Sequence, residues 1–123
     1  MMDQPSMLEL VAAVRDFLEQ RAMPELKGHT AFHARVAANA LAIVARELEQ
    51  GAAATTAERD RLARLLGHDG DMTALNRELC AAIRGGRIGL DTPGLADHLA
   101  QTTRDKLAID QPGYDGLKRF LAD

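Results

Sequence analysis

The chain has 123 residues, of which 46% are hydrophobic but only 3% aromatic, and it carries a formal charge of −3. This length fits one domain, residues 1–123, whose core needs neither disulfides nor metal. The net negative charge excludes the strongly basic surface that would attract nucleic acids or anionic membranes. The single cysteine excludes an internal disulfide, and no apolar run is long enough to cross a membrane. We therefore expect a cytoplasmic protein.

The composition indicates the fold class. Alanine and leucine are abundant, and no segment alternates apolar and polar residues as a half-buried strand does. We therefore expect an all-α, single-domain bundle. It should contain five main helices and a short C-terminal helix, packed around a long central second helix, with no cofactor and no metal.

The first predicted helix begins after Ser6, because Ser6 and Glu9 match a capping box. Pro24 disfavours helical backbone in the residue before it, so this helix should end near Ala22 or Met23. Its apolar positions recur at intervals of three and four: Met7, Leu10, Val11, Val14, Phe17 and Leu18.

The second predicted helix covers residues 30–50, with Thr30 as its N-cap and Gly51 as the left-handed residue that closes it. It is apolar nearly all the way round, and a helix of that kind is typical of a protein interior. Other helices should therefore enclose it. Its apolar residues are Phe32, Val36, Ala37, Ala40, Leu41, Ile43, Val44, Ala45 and Leu48.

Capping and glycine signals delimit the remaining helices. The third should run from a capping box at Thr55 and Glu58 to Gly67. The fourth should begin at Asp69 or Asp71 and end at residues 85–86. The fifth should begin at Thr92 and Pro93 and stop before Pro112, and a final helix should hold Leu117, Phe120 and Leu121.

Few residues suit catalysis by a nucleophile or a metal. Ser6 is the only serine and is explained as a helix cap, and Cys80 is expected to be buried and inert. His29 and His33 stand four apart, as zinc-binding pairs do, but His29 precedes the predicted N-cap. The remaining histidines lie in separate segments, so we expect no metal site and lean against an enzyme.

A polar strip on the second predicted helix is the main candidate for binding. Arg35, Asn39 and Arg46 fall on one side of the helix, and His33 lies on the other. Arg35 and Asn39 are one turn apart, so together they suit a carboxylate or phosphate. The alternative is that they form hydrogen bonds between helices, with His33 half-buried and neutral.

Three polar residues, Thr102, Thr103 and Lys106, interrupt the apolar stripe of the fifth predicted helix. They line a cavity, or else the threonines bond back to their own helix and the lysine extends to solvent. If Thr102 and Lys106 face the second helix, they form a polar pocket with its strip. The segment around residues 62–78 also has the spacing of a helix-turn-helix, but its acidic side chains would repel phosphates.

Two runs of residues resemble an uncharacterised bacterial family known as a domain of unknown function. The first run is Phe32, His33, Arg35, Val36, Ala37, Ala38, Asn39, Leu41, Ile43, Val44, Arg46, Glu47 and Leu48; the second is Thr102, Lys106, Leu107, Asp110, Pro112 and Tyr114. Members of that family tend to be encoded beside aminoglycoside-phosphotransferase-like kinases and acyl-CoA dehydrogenases. The resemblance implies these as partners and brings no activity.

The leading hypothesis is a non-catalytic accessory or protein-interaction module that serves such a partner in acyl metabolism. The alternative is a small-molecule or anion-binding protein that uses a polar pocket between the second and fifth helices. DNA binding is a remote third hypothesis. Alanine-rich helices in a small domain are also compatible with a homodimer.

Overall fold

The computed structural model describes residues 3–123, and that part of the chain is a helical bundle without strands. The all-α prediction is confirmed. The backbone forms two compact units, an N-terminal unit that ends at Gly51 and a C-terminal unit, Ala52–Asp123. Because the boundary falls inside a continuous helix, both units contain part of that helix. The single domain expected from chain length stays a prediction.

The N-terminal unit begins with helix α1, Met7–Phe17, followed by a π-helical turn, Leu18–Ala22, and a short helix α2, Met23–Glu25. The predicted capping box is confirmed. The Glu9 N–H donates to Ser6 Oγ at 3.2 Å, and the Ser6 N–H donates to the Glu9 carboxylate at 2.7 Å.

Helical backbone continues two or three residues beyond the predicted end of the first helix, through Pro24 to Glu25. A proline inside an α-helix removes one hydrogen bond and its ring collides with the carbonyl of the preceding turn. Here the preceding turn is widened, and the Met23 N–H donates to the Leu18 carbonyl five residues back. The wider turn lets the chain accept Pro24 without ending the helix there.

Helix α3 runs from Gly28 to Leu66, so the second and third predicted helices are one. The predictions of Thr30 as N-cap, of Gly51 as C-cap and of a new start at Thr55 were wrong. Gly51 does not adopt a left-handed conformation, whereas Gly67 does, with φ 81°. One helical glycine costs only about 1 kcal/mol relative to alanine, and the alanines after it sustain the helix.

Packing covers only one side of the N-terminal half of α3. Ala34, Ala38 and Ala42, spaced four apart, are buried. Phe32 and Val36 are about half exposed, at 55% and 49%. The prediction that other helices enclose this segment is correct only for its alanine side. In the structure the small alanine side chains face inward, whereas Phe32 and Val36 face solvent.

The C-terminal unit contains the last part of α3 with helices α4, Met72–Arg84; α5, Leu95–Asp110; and α6, Asp115–Ala122. Asp71 caps α4 as predicted, accepting from the Ala74 N–H. Helix α5 begins two residues later than predicted, after Gly94, since the Thr92 hydroxyl accepts from the Gly89 N–H and closes the loop. The buried apolar core of this unit is Leu62, Leu75, Leu79, Ala82, Leu95 and Leu117.

Candidate functional site

An apolar stripe on α1 faces solvent. Its residues recur at intervals of three and four, and each is at least 43% exposed: Met7, Leu10, Val14 and Phe17. The adjoining positions Leu8, Val11 and Leu18 are half-buried. The apolar arc of α1 is therefore wider than the arc that its own unit covers, and this surplus is what an interaction helix presents to a partner.

The α1 stripe leads into a surface hollow of about 520 Å³ at the π-helical turn. The Phe17 side chain lines this hollow together with the carboxylates of Asp16 and Glu25 and the guanidinium of Arg21. From residue 3 to residue 25 the chain carries five acidic and two basic residues. The surroundings of the stripe are therefore negatively charged.

A second apolar row lies on α3. Its members are four residues apart and all exposed: Phe32, Val36, Ala40, Val44 and Leu48. Residues at this spacing form a continuous ridge along a helix surface, the element that enters the groove of a neighbouring helix.

The predicted site residues of the N-terminal unit lie on exposed or partly exposed parts of α3. His33, Arg35 and Asn39 are exposed, and Arg46 is half-buried. The alternative in which His33 is half-buried is wrong, because the side chain is exposed and its ring packs edge-on against Phe32, with centroids 5.5 Å apart. Because the segment is helical throughout, Arg35, Asn39 and Arg46 share one side.

The other two predicted site residues belong to the C-terminal unit, and they differ in their surroundings. Thr102 is half-buried and its hydroxyl accepts from Arg61 Nη2 at 3.2 Å, whereas Lys106 is exposed. Thr103, by contrast, donates to the Leu99 carbonyl of its own helix at 2.8 Å. The pocket predicted to join Thr102 and Lys106 to the polar strip of α3 stays a prediction.

Arg61 is a functional candidate that sequence reasoning missed. Its side chain is only 13% exposed, and Nη2 lies 3.7 Å from the Asp105 carboxylate as well as contacting Thr102. Its Nε is buried and has no hydrogen-bond partner among the described residues. The available signal was position: Arg61 lies four residues before the half-buried Leu65 and therefore on the same side of α3.

His98 is the second residue that sequence reasoning passed over. It is 2% exposed, and Nδ1 has no hydrogen-bond partner in the described part of the chain. Burial lowers the pKa of His98, and the positive charge of Arg61 lowers it further. The imidazole is therefore neutral at neutral pH. Its spacing, three residues after Leu95 and four before Thr102, places it on the inward side of α5.

A cleft of about 380 Å³ lies beside Arg61, where α5 begins. The Arg61 and Arg64 guanidiniums and the first N–H groups of α5 favour an anion, but the Asp97 carboxylate also lines the cleft and opposes one. The cleft therefore carries no clear preference for charge.

A more apolar cavity of about 350 Å³ lies between α5 and α6. Arg104 is its charged residue; the guanidinium carbon lies 4.7 Å from the Phe120 ring centroid, in a cation–π contact. Arg104 Nε is buried without a described hydrogen-bond partner. The lining residues are Leu99, Ala100, Thr103, Arg104, Leu107, Tyr114, Gly116, Leu117 and Phe120.

Residues 3–123 contain no group of three histidine, cysteine or acidic side chains placed to hold a metal ion. Cys80 is exposed, so the prediction that it is buried was wrong. Its position in α4 is one residue beyond the buried Leu79, and one residue turns a helical side chain by about 100°.

Within the described part of the chain, the helices lack the length or the hydropathy that crossing a bilayer requires. The absence of a nucleic-acid partner stays a prediction. No curated protein and no solved structure matches the chain. Residues 24–114, from α2 to the residue before α6, match the DUF6285 domain of unknown function. The match covers well over half of the sequence, and the chain therefore belongs to the DUF6285 family.

Proposed function

We propose that the protein is a non-catalytic accessory module that binds a partner protein through the apolar stripe of α1. The single observation that carries this proposal is the exposure of Met7, Leu10, Val14 and Phe17 beside a helix face that is half-buried. Burying an apolar side chain of this size contributes about 1.5–3 kcal/mol when it passes from full exposure to full burial. Four half-exposed side chains therefore contribute about 3–6 kcal/mol before the cost of association, so the partner must add contacts around the stripe.

The charge around the stripe defines the chemistry of the partner. Asp16 and Glu25 lie in the hollow at the end of the stripe, and acidic residues predominate through this segment. The partner surface should therefore be an apolar helix or groove flanked by lysine or arginine. An acyl-CoA dehydrogenase and an aminoglycoside-phosphotransferase-like kinase are the candidates that the sequence resemblance implies, which would assign the module to acyl metabolism in the cytoplasm.

Co-purification tests this proposal. The tagged chain is expressed with the acyl-CoA dehydrogenase and the kinase-like protein encoded beside it, and the affinity of any complex is measured by titration calorimetry. Val14→Glu should weaken binding at least about tenfold, because it buries a carboxylate against apolar side chains. Ala12→Glu is the control, since Ala12 is exposed on the same helix but outside the stripe.

Two outcomes contradict the proposal. Recovery of the chain alone under mild conditions would argue against these partners. Equal binding by the Val14→Glu and Ala12→Glu proteins would show that the contact lies elsewhere.

Small-molecule binding is a second candidate function, and the cavity between α5 and α6 favours it. Its volume of about 350 Å³ falls in the range of small-ligand sites, about 300–1,000 Å³. Apolar walls and one guanidinium suit an amphipathic carboxylate, with the chain against Leu107 and Phe120 and the acid at Arg104.

Decanoate is a suitable probe for this cavity in a thermal-shift measurement. At 100 times its dissociation constant a ligand stabilises by about 2.7 kcal/mol. Arg104→Met should abolish the shift, while Arg119→Met, at an exposed position of α6, should keep it. A shift of equal size in the Arg104→Met protein would contradict this assignment.

The predicted polar pocket of His33, Arg35, Asn39, Arg46, Thr102 and Lys106 calls for a different probe, inorganic phosphate. If the two sets of residues share one anion, stabilisation by phosphate should be lost in both the Arg35→Gln and Lys106→Gln proteins. Loss in one variant alone would contradict a shared pocket.

A further inference from the structure

The Tyr114 ring lies against Gly116 on the wall of the cavity between α5 and α6. A Cβ atom placed on Gly116 would lie 2.5 Å from one ring carbon of Tyr114, closer than real Cβ atoms approach. Gly116 is the second residue of α6, and alanine is a better helix former than glycine. The missing side chain therefore has a local use, because it lets the Tyr114 ring occupy this place.

Tyr114 lies at one end of the cavity. It directly precedes α6, and its N–H donates to the carbonyl of Gln111, the C-cap of α5, at 3.0 Å. Leu107 lines the cavity one turn before that cap. Leu99 also lines it and lies eight residues before Leu107, which is about 12 Å along the helix axis. The cavity therefore extends along α5 from Leu99 to the Tyr114 ring.

We propose that Tyr114 sets the longest carboxylate chain that this cavity accepts, and that Gly116 is the residue that positions its ring. The inference rests on the small-molecule function proposed above for the same cavity. With the acid at Arg104, an alkyl chain that follows Leu107 meets the Tyr114 ring. A longer chain must displace the ring or leave its last carbons in water. The ligand class is therefore a straight-chain monocarboxylate of limited length.

The surroundings of the two aromatic rings of the cavity assign them to different ends of the ligand. Phe120 lies beside the acid, because its ring centroid is 4.7 Å from the guanidinium carbon of Arg104. Tyr114 is 51% exposed while it lines the cavity, so it separates the cavity from solvent. A tyrosine suits a wall with one apolar and one wet side.

Titration calorimetry with straight-chain carboxylates from hexanoate to tetradecanoate, below their micellar concentrations, measures the chain-length limit. In the wild type each added CH₂ should raise the affinity about fourfold up to the limit, and further carbons should add nothing. Tyr114→Ala should bind the first carboxylate beyond that limit about fourfold more tightly than the wild type does, because one more CH₂ is buried. Tyr114→Phe should keep the wild-type limit, since the ring remains.

Gly116→Ala tests the positioning role. Its Cβ displaces the Tyr114 ring, so the limit should move to longer chains, as in Tyr114→Ala. Gly113→Ala is the matched control, because a Cβ there meets no atom within 4 Å apart from its chain neighbours. In the Tyr114→Ala background, Gly116→Ala should have no further effect on the limit, because it acts through the ring. Circular dichroism verifies that each variant keeps its helices.

Two results would overturn this inference alone. One is an unchanged limit in the Tyr114→Ala protein, and the other is an equal effect of Gly116→Ala and Gly113→Ala on the limit. In both cases the wild type still binds carboxylates, and the small-molecule function stands. If the wild type binds none of the carboxylates, that function fails and this inference fails with it. The two failures are therefore distinguishable.

Discussion

The two compact units bury different kinds of side chain. On α3 the N-terminal unit buries alanines and exposes phenylalanine, valine and leucine. The C-terminal unit buries leucines together with His98, and it largely covers Arg61. The difference shows where each unit obtains its stability. The C-terminal unit has a core of buried leucines, whereas the hydrophobic residues that the N-terminal unit buries are alanines.

Removing a core leucine should have the largest effect. Leu75→Ala in the C-terminal unit should lower the free energy of unfolding by about 2–5 kcal/mol, since Leu75 is fully buried. Val44→Ala in the N-terminal unit should change it by no more than about 0.5 kcal/mol, because that side chain is partly exposed. Urea unfolding at low protein concentration measures both. Equal losses of unfolding free energy in the two variants would contradict the difference in core packing between the two units.

Enlarging a buried alanine should have the next largest effect. Ala38 is 2% exposed, and Ala38→Leu should destabilise by about 1–3 kcal/mol because there is no space for the larger side chain. Ala37→Leu, one residue away and exposed, should be close to neutral. If the same urea measurement finds Ala38→Leu neutral as well, the alanine side of α3 is not closely packed.

The Arg61–Thr102 hydrogen bond should have a smaller effect. Thr102→Val keeps the shape but removes the acceptor of a largely buried guanidinium, at a cost of about 1–2 kcal/mol. Thr103→Val is the matched control, because Thr103 is exposed and bonds only to its own helix. Thermal unfolding followed by circular dichroism compares the two. A larger loss for Thr103→Val would contradict the assigned role of Thr102.

The pH dependence from His98 should be the smallest effect. Burial and Arg61 lower the pKa of His98, as does Lys106 to a smaller extent, while Glu58 and Asp97 raise it. In the unfolded chain a histidine takes up its proton near pH ~6.5, and the folded imidazole takes up its proton only at a lower pH. The unfolded state therefore binds more protons, and stability falls as the pH decreases through the unfolded pKa of ~6.5.

The comparison of wild type with His98→Gln isolates this contribution. The variant should lose stability less steeply on acidification. His68 acts in the opposite direction, because its hydrogen bond to Glu78 raises its pKa and favours the folded state at acid pH. A steeper acid loss in the His98→Gln protein would contradict the assignment.

Local signals in the sequence predicted most of the fold. The cap at Ser6, the cap at Asp71 as one of two alternatives, and the end of a helix at Gly67 were all predicted from short-range chemistry, and the structure confirms them. Gly51 shows where such signals fail. A glycine only weakens a helix, and whether the helix ends there depends on the residues beyond it. The helix through Pro24 was missed for a similar reason. The rule that a helix ends before proline does not include the π-helical turn that accommodates the proline here.

The candidate sites were less predictable than the helices. Apolar periodicity on α1 and α3 reveals which residues prefer burial, but it does not say whether the same chain covers them. His98 and Arg61 were passed over because each was considered by residue type, whereas their importance comes from an inward position beside leucines. Thr102 was identified as a candidate, but its hydrogen-bond donor Arg61, on another helix of the same unit, was not.

Tyr114 has a spectroscopic consequence. The chain has one tyrosine and no tryptophan, so its near-ultraviolet fluorescence comes from a single ring. That ring lines the cavity between α5 and α6, in the C-terminal unit. Fluorescence thus reports the unfolding of one unit, while far-ultraviolet circular dichroism reports helices in both. If the two units unfold cooperatively, the two transitions coincide; if they do not, Tyr114 shows at which temperature the C-terminal unit opens.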